Sequence, residues 1–239
     1  MWLKHFMRFK NIIAIVVSIV LFVTPVVAGA TTAQQCTEQI KNLKIKELSI
    51  ADNPQLFSQL SNHEHFKALK NELFSGKYKV FETRMLTIID PSDNQPVSCM
   101  VTPFVKDNKP GLMGIAIKNG VSYAAAILGE DSNKDWVNVS VMTVDDNKQI
   151  SKQIKTIPKN QNKLASFFIS QANAYDAYSF CIDFCNAMCS MGLGFGGCYL
   201  LCTGISAGTG ALLCGFLCAA FTWSACNWGC PAWCSYIMS

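Results

Sequence analysis

The chain carries its chemistry in sulfur. Ten of its twelve cysteines lie in the last quarter: Cys181, Cys185, Cys189, Cys198, Cys202, Cys214, Cys218, Cys226, Cys230 and Cys234. They are grouped three, two, two and three, each cysteine four positions on from the last inside its group. On a helix that step lines the sulfurs of a group along one face. Such rows suit two chemistries, ligation of a soft metal or disulfide bonding. A zinc reading calls for C-x-x-C pairs or histidines, and this stretch has neither. Disulfides are the expected use, provided the chain leaves the cytosol.

The N-terminus says that it does. Lys4, Arg8 and Lys10 form a basic start, Ile12 to Val27 an apolar run, and Ala28-Gly29-Ala30 an A-x-A cleavage cue. This is the three-part layout of a secretory signal over residues 1–30, with cleavage between Ala30 and Thr31. An uncleaved anchor helix is the alternative, since the apolar run is only slightly short of a span. No adjacent pair of arginines marks it for folded export. The remaining cysteines, Cys36 and Cys99, then pair by parity, leaving five bridges for the tail.

Other chemistry is sparse. His63-Glu64-His65 offers two imidazoles, but on a helix positions i and i+2 point to opposite sides. No Ser-His-Asp or Cys-His arrangement assembles, and no Gly-rich phosphate loop is present. Asn138-Val139-Ser140 matches a glycosylation acceptor within a strand pattern and reads as accidental. Neither an enzyme, a cofactor, a bound metal nor a nucleic-acid partner is expected.

These groups need elements to hold them. Residues 31–165 read as a strand-rich α+β domain. Gln55 to Phe74 has apolar residues at helical spacing, ended by Ser75-Gly76. Strands are expected at Lys79–Ile89, Pro96–Val105, Leu112–Lys118, Val121–Leu128, Val137–Val144 and Gln149–Ile157. Asp90-Pro91, Lys109-Pro110-Gly111 and Asp145-Asp146-Asn147 separate them, and Asn119-Gly120 marks a tight hairpin. The result is a small antiparallel sheet with a helical N-terminal segment. Residues 166–175 form a linker, and Ala172-Asn173-Ala174 suggests processing between Ala174 and Tyr175.

Residues 176–239 read as a small all-α domain built from helical hairpins and stapled by disulfides. Helices are expected at about 177–191, 196–204, 210–221 and 223–236, with Pro231 awkward inside the last. Neighbouring helices on short loops run antiparallel, so facing sulfur rows pair in reverse order. That nests Cys202–Cys214 and Cys198–Cys218 inside Cys189–Cys226, Cys185–Cys230 and Cys181–Cys234. The competing layout joins sequence neighbours, for example Cys189 to Cys198, and makes two separate hairpins.

The tail has no charged residue after Asp183, and the chain has no Lys, Arg or His after Lys163. A peptide without charge presents apolar and aromatic surface, here Phe216, Phe221, Trp223, Trp228 and Trp233. Such rings favour the membrane–water boundary. A secreted precursor ending in about ten cysteines within a Gly/Ala-rich, nearly uncharged domain resembles the halocin C-eight-like bacteriocins. The likeness rests on Cys181 to Cys234 and their four-residue steps. It implies that the C-terminal peptide is cut free by a processing protease and acts on a target cell membrane. It also implies that the upstream part is a leader or immunity partner. The other expectation is a cell-surface protein whose apolar tail anchors the upstream β domain.

Overall fold

Alternating apolar residues build the centre of the molecule. The structure, a computed structural model, describes residues 43–89, 94–145, 147–158, 176–189 and 209–239. Eight strands form one antiparallel sheet: β1 (Lys44–Leu48), β2 (Tyr78–Val80), β3 (Arg84–Ile89), β4 (Pro96–Lys106), β5 (Lys109–Lys118), β6 (Val121–Ser132), β7 (Trp136–Val144) and β8 (Ile150–Pro158). Their order is β1-β3-β4-β5-β6-β7-β8, with β2 also paired to β4. From β3 onward each strand pairs with the next, as short hairpin connections require. Asn119 and Gly120 both have positive φ (51° and 77°) and join β5 to β6, so the expected hairpin forms.

Three departures have local causes. The expected turn at Lys109-Pro110-Gly111 lies inside β5. The chain reverses earlier, at Asp107 and Asn108, both at positive φ (52° and 62°). Short Asp and Asn side chains tolerate that conformation as glycine does. The expected strand from Lys79 to Ile89 is broken between β2 and β3. The expected helix from Gln55 to Phe74 is two, α1 (Pro54–Asn62) and α2 (Glu64–Leu73). His63 between them is extended, at φ −61° and ψ 137°, and its Nδ1 accepts the backbone N–H of His65 at 3.3 Å.

Because successive residues of a strand face opposite sides, this sheet has two apolar faces. One carries Met85, Met100, Phe104, Met113, Ile115, Ala124 and Ala126, covered by Leu60, Phe66, Leu69 and Leu73 of α1 and α2. The other carries Leu86, Ile88, Val97, Leu112, Ala125 and Val139. It is covered by α3 (Ala177–Cys189), α4 (Thr209–Cys226) and α5 (Cys230–Met238). The fold is α+β, a sheet between two helical layers, and Ile40–Ser239 pack as one compact unit. The boundary expected near residue 165 lies outside the described residues, and the segments on either side of it share one core.

Cys99 corrects the parity argument. It is a free thiol, fully buried in β4 between Leu86 of β3 and Ala116 of β5. The expected Cys36–Cys99 bridge is therefore not made. A cysteine on the core-facing side of a central strand packs as a small apolar side chain, and burial raises its thiol pKa far above the usual range. Cys36 lies outside the described residues.

Candidate functional site

The stapled helices and the sheet face beneath them make the candidate site. α3 begins at Asp176, whose carboxylate accepts the Ser179 backbone N–H at 2.6 Å. This cap satisfies an otherwise orphaned donor and holds the Asp176 carboxyl below the usual carboxylate range. α5 begins after Gly229, at φ 78°, with Pro231 in its first turn. There a missing N–H costs nothing. Pro231 starts a helix where the sequence suggested an interruption.

The expected helix over 223–236 is instead the end of α4 and all of α5, meeting at an 85° bend. The sulfur row survives because Cys226 ends α4 and Cys230 opens α5, placing them on either side of the bend. α3 runs antiparallel to this row. Three disulfides join them in reverse order: Cys181–Cys234, Cys185–Cys230 and Cys189–Cys226, with Cα separations of 5.7, 5.5 and 5.8 Å. They close loops with sequence separations of 53, 45 and 37 residues. Cys214 and Cys218 are also disulfide-bonded. Their expected partners, Cys202 and Cys198, lie outside the described residues, as does the expected helix over 196–204. So do Ala30, Thr31, Ala174 and Tyr175. Disulfides of this kind belong to an oxidising compartment.

The sheet is shaped to receive these helices. A Cβ on Gly114 would stand 2.8 Å from Leu217 and 2.9 Å from Phe221 of α4, and 2.6 Å from the Met100 carbonyl oxygen. A Cβ on Gly129 would stand 2.8 Å from Phe180 of α3. Glycine inside a strand marks such a close approach, a signal readable in the sequence but not used there. α4 is apolar all round, as a helix buried along nearly its whole described length must be.

Of the five aromatic side chains expected at a membrane, Phe216, Phe221 and Trp233 are buried here. Trp223 is half-buried, and Trp228 is exposed along with Tyr236. The Arg84 guanidinium of β3 lies 3.9 Å from the ring centre of Trp228 and 5.7 Å from that of Trp223, and it pairs with Glu47 at 3.7 Å. Lys79 donates to the backbone oxygen of Ser239 at 2.5 Å, and Tyr236 Oη accepts the Glu82 backbone N–H at 3.3 Å. Lys118 lies 5.6 Å from the Phe216 ring centre. These helices have no cation of their own and receive theirs from the sheet. Sequence reasoning missed Lys79, Arg84 and Lys118, since a basic residue in a strand says nothing of which helix crosses it.

On the opposite layer, His63 and His65 do approach each other, with ring centres 5.1 Å apart. The expectation of opposite sides assumed both were helical, whereas His63 precedes the helix. His65 Nδ1 is hydrogen-bonded with Ser122 Oγ at 2.8 Å. Asn138 Oδ1 accepts from Thr156, and Ser140 is buried. Among the described residues no single helix is long and apolar enough to cross a membrane, though the bent pair α4–α5 passes by length and composition.

No family model, curated protein or solved structure matches this chain.

Proposed function

We propose that the chain is the precursor of a secreted antimicrobial peptide, a bacteriocin, whose stapled C-terminal helices act on target cell membranes after release. In this reading the β sheet keeps them covered until then. The observation that carries it is the pairing of a helical layer that has no Lys, Arg or His with a sheet that buries Phe216, Phe221 and Trp233 and lends it Arg84 and Lys79. A cut between Ala174 and Tyr175 would leave the Asp176 cap of α3 on the released peptide. With no Lys or Arg of its own, that peptide would bind lipid through apolar and aromatic contact rather than attraction to anionic headgroups. Mass spectrometry of the secreted product, with killing and vesicle-leakage assays at low and high salt, tests this. A free fragment of about 60 residues that permeabilises vesicles independently of salt is expected. A steep loss of activity with salt would overturn the membrane mechanism.

One observation favours a second reading, a surface protein from which the helices are never cut. Their removal would bare Leu86, Ile88, Val97, Leu112 and Val139 on the sheet, an apolar patch that a soluble remnant would not keep exposed. Recovery of only uncut, cell-associated protein would select it.

A further inference from the structure

The two lower disulfides stand closer together than stapling requires. Cys189 Sγ lies 3.7 Å from Cys185 Sγ and 3.8 Å from Cys230 Sγ. Cys185, Cys189 and Cys230 form a group whose sulfurs all lie within 4.8 Å of one another, and the fourth sulfur, Cys226, is bonded to Cys189. Four thiolates around one soft cation at about 2.3 Å stand at the corners of a tetrahedron whose edge is about 3.8 Å. Two edges of that tetrahedron are already present, one along α3 between Cys185 and Cys189 and one from α3 to α5 between Cys189 and Cys230.

We propose that in the thiol-reduced protein Cys185, Cys189, Cys226 and Cys230 form a tetrathiolate site for one soft divalent cation, of which zinc is the natural example. Apolar burial holds these residues together alongside the disulfides. α3 is seated on the sheet at Gly129 and α4 at Gly114 by close apolar contact, so burial keeps the ends of both helices in place after reduction. Cys230 opens α5, where the helix dipole favours a thiolate. Cys189 and Cys226 are only half-buried, which gives the cation a way in and eases the net negative charge. This site stands independently of the antimicrobial reading.

The chemistry balances. Two equivalents of a dithiol reductant convert the two disulfides to four thiols and are themselves oxidised to two cyclic disulfides. Binding of the cation then releases four protons, leaving a complex of net charge −2. Oxidation by two equivalents of a disulfide donor reverses this, consuming four protons, freeing the cation and giving four donor thiols. A cation held this way keeps all four sulfurs together, within reach of the observed pairing.

Cobalt titration of the full exported chain, reduced and kept anaerobic, tests the site, with circular dichroism reporting the fold. The expected result is a single cobalt bound with the visible bands of a tetrahedral thiolate complex. Zinc should displace it, and it should be absent from the oxidised protein. Reduced Cys185→Ser/Cys189→Ser should lose those bands, while Cys181→Ser/Cys234→Ser, which alters the neighbouring bridge, keeps them. Absence of the bands in reduced wild type overturns the proposal, whether the fold is retained or lost, because burial is what must hold the thiols. Bands that persist in Cys185→Ser/Cys189→Ser, or that vanish equally in Cys181→Ser/Cys234→Ser, place the cation elsewhere and also overturn it.

Discussion

The two faces of the sheet are covered in different ways. α1 and α2 follow closely on β1 in sequence and bury one stripe each; α1 turns Gln55, Ser58 and Gln59 to solvent, and α2 the charged Glu64, Lys67, Lys70 and Glu72. They need no covalent help. α3, α4 and α5 come from far along the chain, carry no charge after Asp183, and are tied by bridges spanning 37 to 53 residues. Their outer surface is polar only through groups such as Asn186, Asn227 and Ser235. A helix with a charged outer stripe is a finished surface. A helix apolar all round, like α4, must be covered by others, and here α3 and α5 do so under covalent constraint. The same β5 strand serves both, showing Leu112, Gly114 and Ala116 to one layer and Met113 and Ile115 to the other.

The contrast breaks most clearly at its longest bridge. Cys181→Ala/Cys234→Ala should lower stability by about 2–3 kcal/mol, because with the nested Cys185–Cys230 bridge still closed this bridge constrains a loop of only about ten residues. Denaturant unfolding checks this. Hydrogen exchange should quicken in α3 and α5 and stay unchanged in α2, and equal loss in both layers would dissolve the distinction. Next comes the seat of α4. Gly114→Val should cost about 1–3 kcal/mol, because its side chain would press on Leu217, Phe221 and a β4 carbonyl rather than on one flexible chain end. With the bridges intact, the helices should lift from the sheet together, and the emission of buried Trp233 should shift to the red.

Smaller again is Arg84→Ala, expected to cost about 1 kcal/mol through loss of the contact with Trp228 and Trp223. It should raise exposure of those rings to a soluble quencher without altering α1 or α2. The smallest effect is in pH. His63 is held below its ordinary value, first by burial and then by the charge of His65. The folded state therefore prefers the neutral ring. The unfolded chain takes its proton first, so this contribution is complete above about pH 6.5 and fades as pH falls through the folded value. Exchange in α2 should quicken on acidification, and less so in His63→Asn. The layer of α3–α5 holds no described histidine, and its exchange, corrected for intrinsic rate, should not follow.

Much of this was readable beforehand. Strand alternation, the Asn119-Gly120 turn and the four-residue cysteine steps are local patterns, and each acts over a few residues. The reverse pairing of Cys181, Cys185 and Cys189 with Cys234, Cys230 and Cys226 follows from antiparallel rows and holds even though one row is bent. Cys99 was misread because a parity count is blind to burial, and the position of a thiol in the core depends on strands far from it in sequence. The break at Asn227-Trp228-Gly229 was placed too early because an uncharged run offers no polar stripe from which to read helical phase. That both sheet faces are covered, and that Gly114, Gly129 and Arg84 receive the C-terminal helices, was decided by tertiary structure alone. The physical reason is that periodicity reports which side of an element is apolar, whereas long-range burial selects what that side meets.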